Sequence, residues 1–227
     1  MVFGAFITNL EKYNEGILEG EWVGFPTTYE HLKSVMDKIG ISPSNVEFVT
    51  DYDSKIKGLF KLTGEYVNLD ELNYLASKLK ELDERDLKCY EAALDHDYYD
   101  SIQALINLTD NLDNYNYYPE ITNEQELGKY LIKECQRMDV GEDILPYFDF
   151  EAYGRDESIN EGGRFTSNGY ISNPSDNFTE YYDGKKENIP SEYCVTSKPQ
   201  EAAEQNKSQN KTNENINRNR ALAGMSR

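Results

Sequence analysis

Positive charge is what this sequence withholds. Between Lys88 and Lys129 there are nine acids (Glu91, Asp95, Asp97, Asp100, Asp110, Asp113, Glu120, Glu124 and Glu126) and no Lys or Arg, with His96 the one side chain that could become cationic. Over all 227 residues, 23 Lys and Arg stand against 42 Asp and Glu, a formal charge of −19. Self-repulsion on that scale opposes compaction and exceeds what solubility needs. Duplex nucleic acid, other polyanions and anionic membranes are therefore poor partners for the body of the chain, whereas a basic groove or divalent cations would be drawn to it.

Other scarcities exclude whole classes of function. Three scattered cysteines, Cys89, Cys135 and Cys194, with no CxxC spacing, argue against a disulfide framework or a thiolate metal site and for reduced thiols in a cytoplasm. No apolar run nears the roughly eighteen residues that span a bilayer, and the opening MVFGAFITNLEKYNEG lacks the basic start of a secretion signal. The expectation is a cytoplasmic protein. The two histidines, His31 in a first helical turn and His96 between two aspartates, read as surface residues with modestly raised proton affinity. Glycine-rich phosphate loops, nucleophile elbows and HExxH are missing, and a carboxylate pair picked from 42 candidates carries no information. DYDSKIKG (51–58) and DNLDNYN (110–116) resemble fragments of calcium loops without the spaced oxygens and closing Glu of an EF-hand. These absences predict neither an enzyme, nor a metal site, nor a cofactor. NLT and NFT match glycosylation acceptors, which have no meaning without secretion.

What is present is a well-marked succession of elements. Val2–Ile7, EWVGF (21–25) and VEFVTDY (46–52) read as strands. Between the last two, TTYEHLKSVMDKIG predicts a helix capped by Thr27 with Glu30, striped by Leu32, Val35, Met36 and Ile39 and stopped by Gly40. A helical block follows. Asn68 caps the first helix, with Leu69, Leu72, Leu75, Leu79 and Leu82 on one face; DERDLKCYEAALDH and DSIQALINLTDNL continue it. On the second helix Glu84, Glu91 and Asp95 share the polar side, and a four-residue step is about 6 Å along the axis, on the order of phosphate spacing on one DNA strand. A third block has a helix opened by Thr122 with Gln125, the aromatic-rich ILPYFDFEAYGRD, a hairpin in EGGRFTSNGYI and a strand ending in FTEYYDG. Arg155 of YGRD reads as a structural ion pair that anchors a loop, and most of the 18 tyrosines as core residues with hydroxyls outward.

Past Tyr193 the composition turns rich in Asn, Gln, Ser and Lys, which predicts disorder. Residues 188–227 carry four acids and six bases, so the first 187 residues hold −21 and the negative field belongs to the folded body. The expected architecture is α+β and elongated: a sheet-plus-helix domain (1–67), a helical domain (68–113), an α+β C-terminal domain (114–193) and a tail (194–227).

FITNLEKYNEGILEGEWVGFP (6–26) and YFDFEAYGRDESINEGGRFTSNGYI (147–171) resemble the beginning and end of the ArdA family of antirestriction proteins. The resemblance implies a DNA mimic carried by mobile elements, which occupies the DNA cleft of type I restriction-modification enzymes and dimerises through its C-terminal domain. GEDILPYFDF (141–150) resembles the family's antirestriction motif. Asn9, Tyr13, Asn14, Gly16, Gly20 and Trp22 match its N-terminal pattern and are expected to shape the first domain. On this reading the phosphate surrogates are Glu84, Glu91, Asp95, Asp97, Asp100, Asp110 and Asp113 from the helical block and Glu142, Asp143, Asp149 and Glu151 from the motif region. The implied partner is a type I methyltransferase core, with a homodimer as the inhibitor. Duplex DNA presents one negative charge per about 1.7 Å of axis, and any Lys on an imitating face would subtract from the imitation. The alternative is an acidic inhibitor or adaptor of another basic DNA-binding protein, such as a CRISPR effector or a nucleoid protein.

Overall fold

The computed structural model describes residues 1–42, 47–61, 63–174 and 177–198. The chain divides into two compact units. One holds Met1–Lys55, Thr63–Glu81 and the described part of Tyr182–Arg227; the other holds Ile56–Leu62 and Leu82–Tyr181.

In the first unit β1 (Phe3–Thr8), β2 (Gly20–Phe25), β3 (Glu47–Ser54) and β4 (Tyr66–Val67) form an antiparallel sheet in the order β2-β1-β3-β4. Phe3, Ala5, Ile7, Val23 and Phe25 are buried, as the two-residue period of a half-buried strand requires. Between β1 and β2 lies the short α1 (Leu10–Asn14), and between β2 and β3 lies α2 (Tyr29–Lys38), which buries Leu32, Val35 and Met36. The N-cap of α2 is Thr28, whose hydroxyl accepts from the His31 N–H at 3.3 Å, one residue later than the capping box read from Thr27 and Glu30. Thr27 is instead held by its backbone, its N–H donating to the Asn73 side chain at 2.7 Å. Gly40 stops the helix at φ 73°, which a side chain would resist.

Helix α3 (Leu69–Glu81) begins at Asn68, whose carbonyl Oδ1 accepts from the Asp70 and Glu71 amides, and buries Leu69, Leu72, Leu75 and Leu79. Each buried Leu stabilises the fold by about 1.5–3 kcal/mol. The stretch from Tyr182 to Thr196 packs within the same unit. Tyr182 donates to Glu71 at 2.8 Å and Asn73 donates to the Tyr193 carbonyl at 2.9 Å. Asp70, fully buried, accepts from the Val195 N–H (2.6 Å), the Thr196 N–H (2.9 Å) and the Thr196 hydroxyl (2.7 Å), with Lys186 Nζ 3.0 Å away. Cys194 and Val195, which composition assigns to the tail, are thereby buried; 199–227 lies outside the described residues.

The second unit holds α4 (Glu84–His96), α5 (Ile102–Leu108), β5 (Asn116–Tyr118), α6 (Glu124–Lys133), α7 (Phe150–Asn160), β6 (Arg164–Thr166) and β7 (Gly169–Ser172). Its antiparallel sheet runs β5-β7-β6, with the predicted hairpin as β6 and β7. Ile121, Leu127, Leu131 and Tyr170 form a core flanked by Tyr118, Tyr130, Tyr153 and Phe165. Tyrosine bodies fill this interior as expected, yet several hydroxyls are satisfied inside rather than by water: Tyr90 donates to the Leu105 carbonyl at 3.0 Å and Tyr117 to that of Asn168 at 2.7 Å. Helices α6 and α7 meet backbone to backbone at two glycines. A Cβ on Gly128 would lie 1.9 Å from the Phe150 carbonyl oxygen, and one on Gly154 would lie 1.9 Å from that of Glu124.

Three local expectations are corrected. Helix α6 is capped by Asn123, not Thr122; the Thr122 N–H and hydroxyl instead donate to Glu126 at 2.7 and 2.9 Å. FTEYYDG forms no strand, because both backbone groups of Thr179 are taken by the Asn111 side chain and none remain for a ladder. YGRD lies inside α7, where among the described residues the Arg155 side chain pairs only with its exposed neighbour Asp156, at 3.6 Å, and anchors no loop.

Candidate anionic partner-binding surface

All eleven carboxylates singled out by sequence lie in the second unit, and their surroundings sort them into three kinds. Glu91, Asp97 and Asp149 have internal structural partners. Glu91 is half-buried in α4 and accepts from Asn168 Nδ2 at 2.7 Å and the Lys57 amide at 3.4 Å, tying the helix to the β6–β7 turn and to the 56–62 segment. Asp149 is the N-cap of α7, accepting the Ala152 N–H at 3.0 Å.

Asp97 sits in a titrating cluster. His96 Nδ1 lies 2.7 Å from its Oδ1 while His96 Nε2 lies 2.8 Å from the Gly162 carbonyl. Both ring nitrogens face acceptors, so only the imidazolium can donate to both. The Asp97 hydrogen bond raises the His96 pKa, burial opposes it, and the Gly162 carbonyl adds to the rise. Burial works against the charged form of Asp97, but donation from His96 and Tyr115 outweighs it and holds the carboxyl below its ordinary value. Tyr115 also meets Tyr99 at 2.6 Å, and burial pushes the Tyr99 hydroxyl up to about 12. His96 is thus a half-buried member of a network that favours its charged form, so the raised proton affinity read from its neighbours holds and the surface position does not; Gly162, 66 positions away, carries no side-chain signal that sequence could read.

Glu84 and Asp95 have cations nearby. Glu84 is exposed in the first turn of α4 and pairs with Lys88 at 2.8 Å, which lowers its pKa. Asp95 is exposed, and its carbonyl accepts from Arg164 Nη1 at 2.5 Å. Glu91 and Asp95 line a cavity of about 230 Å³ together with Lys57 and Lys61; Asp95 and Asp97 line a second, of about 260 Å³, with Lys61 and Arg164. The cation gap along the sequence is therefore filled in space at the end of α4. Neither Lys57, Lys61 nor Arg164 falls in the 88–129 window, so periodicity within that window could not reveal them.

The third kind faces solvent. Asp100, Asp113, Glu142, Asp143 and Glu151 are exposed and carry no hydrogen bond or ion pair among the described residues. Asp110 is exposed as well, beside the buried Asn111. Asp113 stands on a single 3-10 turn (Leu112–Asn114), Glu142 and Asp143 on a turn closed by Ile144 and Leu145 N–H groups donating to the Gly141 carbonyl, and Glu151 in the first turn of α7. Met138, Ile144 and Tyr147, the last 87% exposed, surround that turn with apolar surface. Among the described residues no group of His, Cys, Asp and Glu is arranged to hold a metal ion. None of their helices is long and apolar enough to cross a membrane.

Residues matching the expected N-terminal pattern have evident structural work. Asn9 caps α1 by accepting the Lys12 N–H and donates to the Ile39 carbonyl at 2.9 Å, and Gly16 takes φ 80°. Among known families, the one described as "Antirestriction protein (ArdA)" matches residues 5–172. No curated protein matches the chain significantly.

Proposed function

The chain belongs to the ArdA family of antirestriction proteins, and on that premise we propose that it inhibits type I restriction-modification enzymes by imitating B-form DNA, as a binding protein and not as an enzyme. It occupies the DNA cleft of the methyltransferase core and protects incoming mobile DNA in the cytoplasm. The observation that carries this reading is the set of solvent-facing acids, Asp100, Asp113, Glu142, Asp143 and Glu151, left without a counter-charge in a chain of formal charge −19. A cleft built for a duplex presents Lys and Arg to a line of phosphates. Carboxylates fixed on helices and tight turns can engage those cations without offering base edges, so recognition bypasses sequence.

Within the proposed set Asp100, Asp110, Asp113, Glu142, Asp143 and Glu151 are the principal phosphate surrogates. Glu84 and Asp95 contribute less because of Lys88, Lys57 and Lys61, and Glu91, Asp97 and Asp149 serve mainly to hold the surface in shape. The exposed Ile144 and Tyr147 next to Glu142 and Asp143 support a homodimer formed through this region. Competition between the protein and duplex DNA for a type I methyltransferase core, followed across salt concentration, tests the proposal. Exclusive binding whose affinity falls steeply with salt is expected; a ternary complex retaining cognate DNA, or salt-independent inhibition, would overturn it.

A further inference from the structure

The four-stranded sheet of the first unit has a second face, one that α2 does not cover. Register puts Gly4, Phe6 and Thr8 of β1 on it, beside Gly20, Trp22 and Gly24 of β2. From β3 come Asp51 opposite Phe6 and Asp53 opposite Gly4, and across the bulge Thr50 meets the Thr8 hydroxyl at 2.8 Å. Glycines on the face give room to the side chains beside them: Met1 lies against Gly24, where a Cβ would come within 2.6 Å of its sulfur. A Cβ on Gly4 would press on Trp22 at 3.3 Å, and one on Gly20 would strike the Phe6 ring at 2.6 Å. Trp22, the chain's single tryptophan, meets Phe6 edge-on at 5.4 Å and stays 45% exposed. Asp51 and Asp53 are exposed, and Asp53 has no hydrogen bond or ion pair among the described residues. No Lys or Arg lies among these strand positions.

A half-exposed indole on β2, two carboxylates on β3 with β1 between, and no Lys or Arg at these strand positions together define a complement. A guanidinium satisfies both halves: its plane stacks on an aromatic ring and its fork donates to a carboxylate, whereas an ammonium does only the second well. We propose that this sheet face is a second docking surface, and that its occupant is an arginine-bearing surface of the restriction enzyme, with one guanidinium stacked on Trp22 and held by Asp51 and Asp53. The inference rests on the inhibitor reading above. It adds a contact that duplex imitation does not require, since a phosphate line offers no exposed ring.

The test uses the whole chain with 5-fluorotryptophan in place of its single tryptophan, and an unlabelled type I methyltransferase core. On complex formation the fluorine resonance of residue 22 shifts and broadens. Asp51→Asn with Asp53→Asn weakens binding about tenfold, and Trp22→Leu about fivefold, the scale of one stacked, carboxylate-paired cation. Asn at 51 can still accept the Tyr52 N–H that Asp51 accepts at 2.8 Å, so the double variant keeps the sheet, which a melting curve verifies. With the free protein, a hexa-arginine peptide perturbs Trp22 fluorescence at several-fold lower concentration than hexa-lysine, and the double variant erases the difference. A complex that forms with the resonance unmoved and the variants binding as the parent does overturns this inference and leaves the inhibitor reading standing. Absence of any complex overturns both. A resonance that moves with the protein's own concentration assigns the face to a second copy and overturns the arginine occupant, as does equal response to the two peptides.

Discussion

Two regions of the molecule use carboxylates in opposite ways. In the first unit Asp70 is fully buried, with two amides, a hydroxyl and an ammonium arranged around its two oxygens. In the second unit Asp100, Asp113, Glu142 and Asp143 stand in water with no partner among the described residues. A buried carboxylate with all its donors in place holds one geometry, and removing either side leaves an unmatched group in low dielectric. A solvent-facing carboxylate contributes little to the fold and keeps its lone pairs for a partner. The comparison separates charges that build the protein from charges that it presents.

The largest expected effect lies on the building side. Asp70→Ala takes the carboxylate away from the Lys186 ammonium and leaves the amides of Val195 and Thr196 without their acceptor, and should cost about 3–5 kcal/mol in chemical denaturation. Next comes a break that involves no charge. Gly154→Ala forces a methyl group into the Glu124 carbonyl and should cost about 3 kcal/mol, at the upper end of what overpacking does; partner binding measured below the melting transition should survive it. Replacing Asp100, Asp113, Glu142, Asp143 and Glu151 with their amides sharpens the contrast from the other side. Stability should move by no more than about 0.5 kcal/mol per site, while competition with duplex DNA for a methyltransferase core collapses and its salt slope flattens. If melting fell as far as in Asp70→Ala, the distinction would fail.

The smallest effect is in pH. The folded state raises the His96 pKa through Asp97, so the stabilisation by the imidazolium is complete below the ordinary histidine value and fades as pH climbs through the raised one. Asp97, held low chiefly against burial by the His96 and Tyr115 bonds, contributes above the ordinary carboxylate value and fades as pH falls through the lowered one. This corner should therefore be most stable between the two. Thermal melts from roughly pH 4 to 9 should show that plateau in the parent, and His96→Asn should flatten its alkaline side.

Much of the fold could be read from the chain because its signals are local. The α2 stripe, the Asn68 cap, the Gly40 stop and the β6–β7 hairpin are each set by residues a few positions apart. Errors at the caps of α2 and α6 were single-residue displacements, where two adjacent candidates, Thr27 and Thr28 or Thr122 and Asn123, compete and tertiary bonds decide. What sequence could not show depends on distance along the chain. The partners of Asp70 lie 125 and 126 positions away, Gly162 lies 66 from His96, and Lys57 lies 34 from Glu91. A count of charges within a window therefore overstated how bare the end of α4 would be. The three-domain division follows composition and the two compact units follow packing, and the two cut the chain by different criteria.

The first unit is written discontinuously. Its chain leaves after Glu81 and resumes at Tyr182, with a hundred residues of other structure interposed. During synthesis at about 5–20 residues per second, α3 emerges many seconds before Val195 and Thr196 do. Through that interval the Asp70 carboxylate must stay hydrated, which works against early burial of its end of the helix. The second unit has time to fold while its host is still open, and the last described stretch of the chain acts as the latch that closes the first.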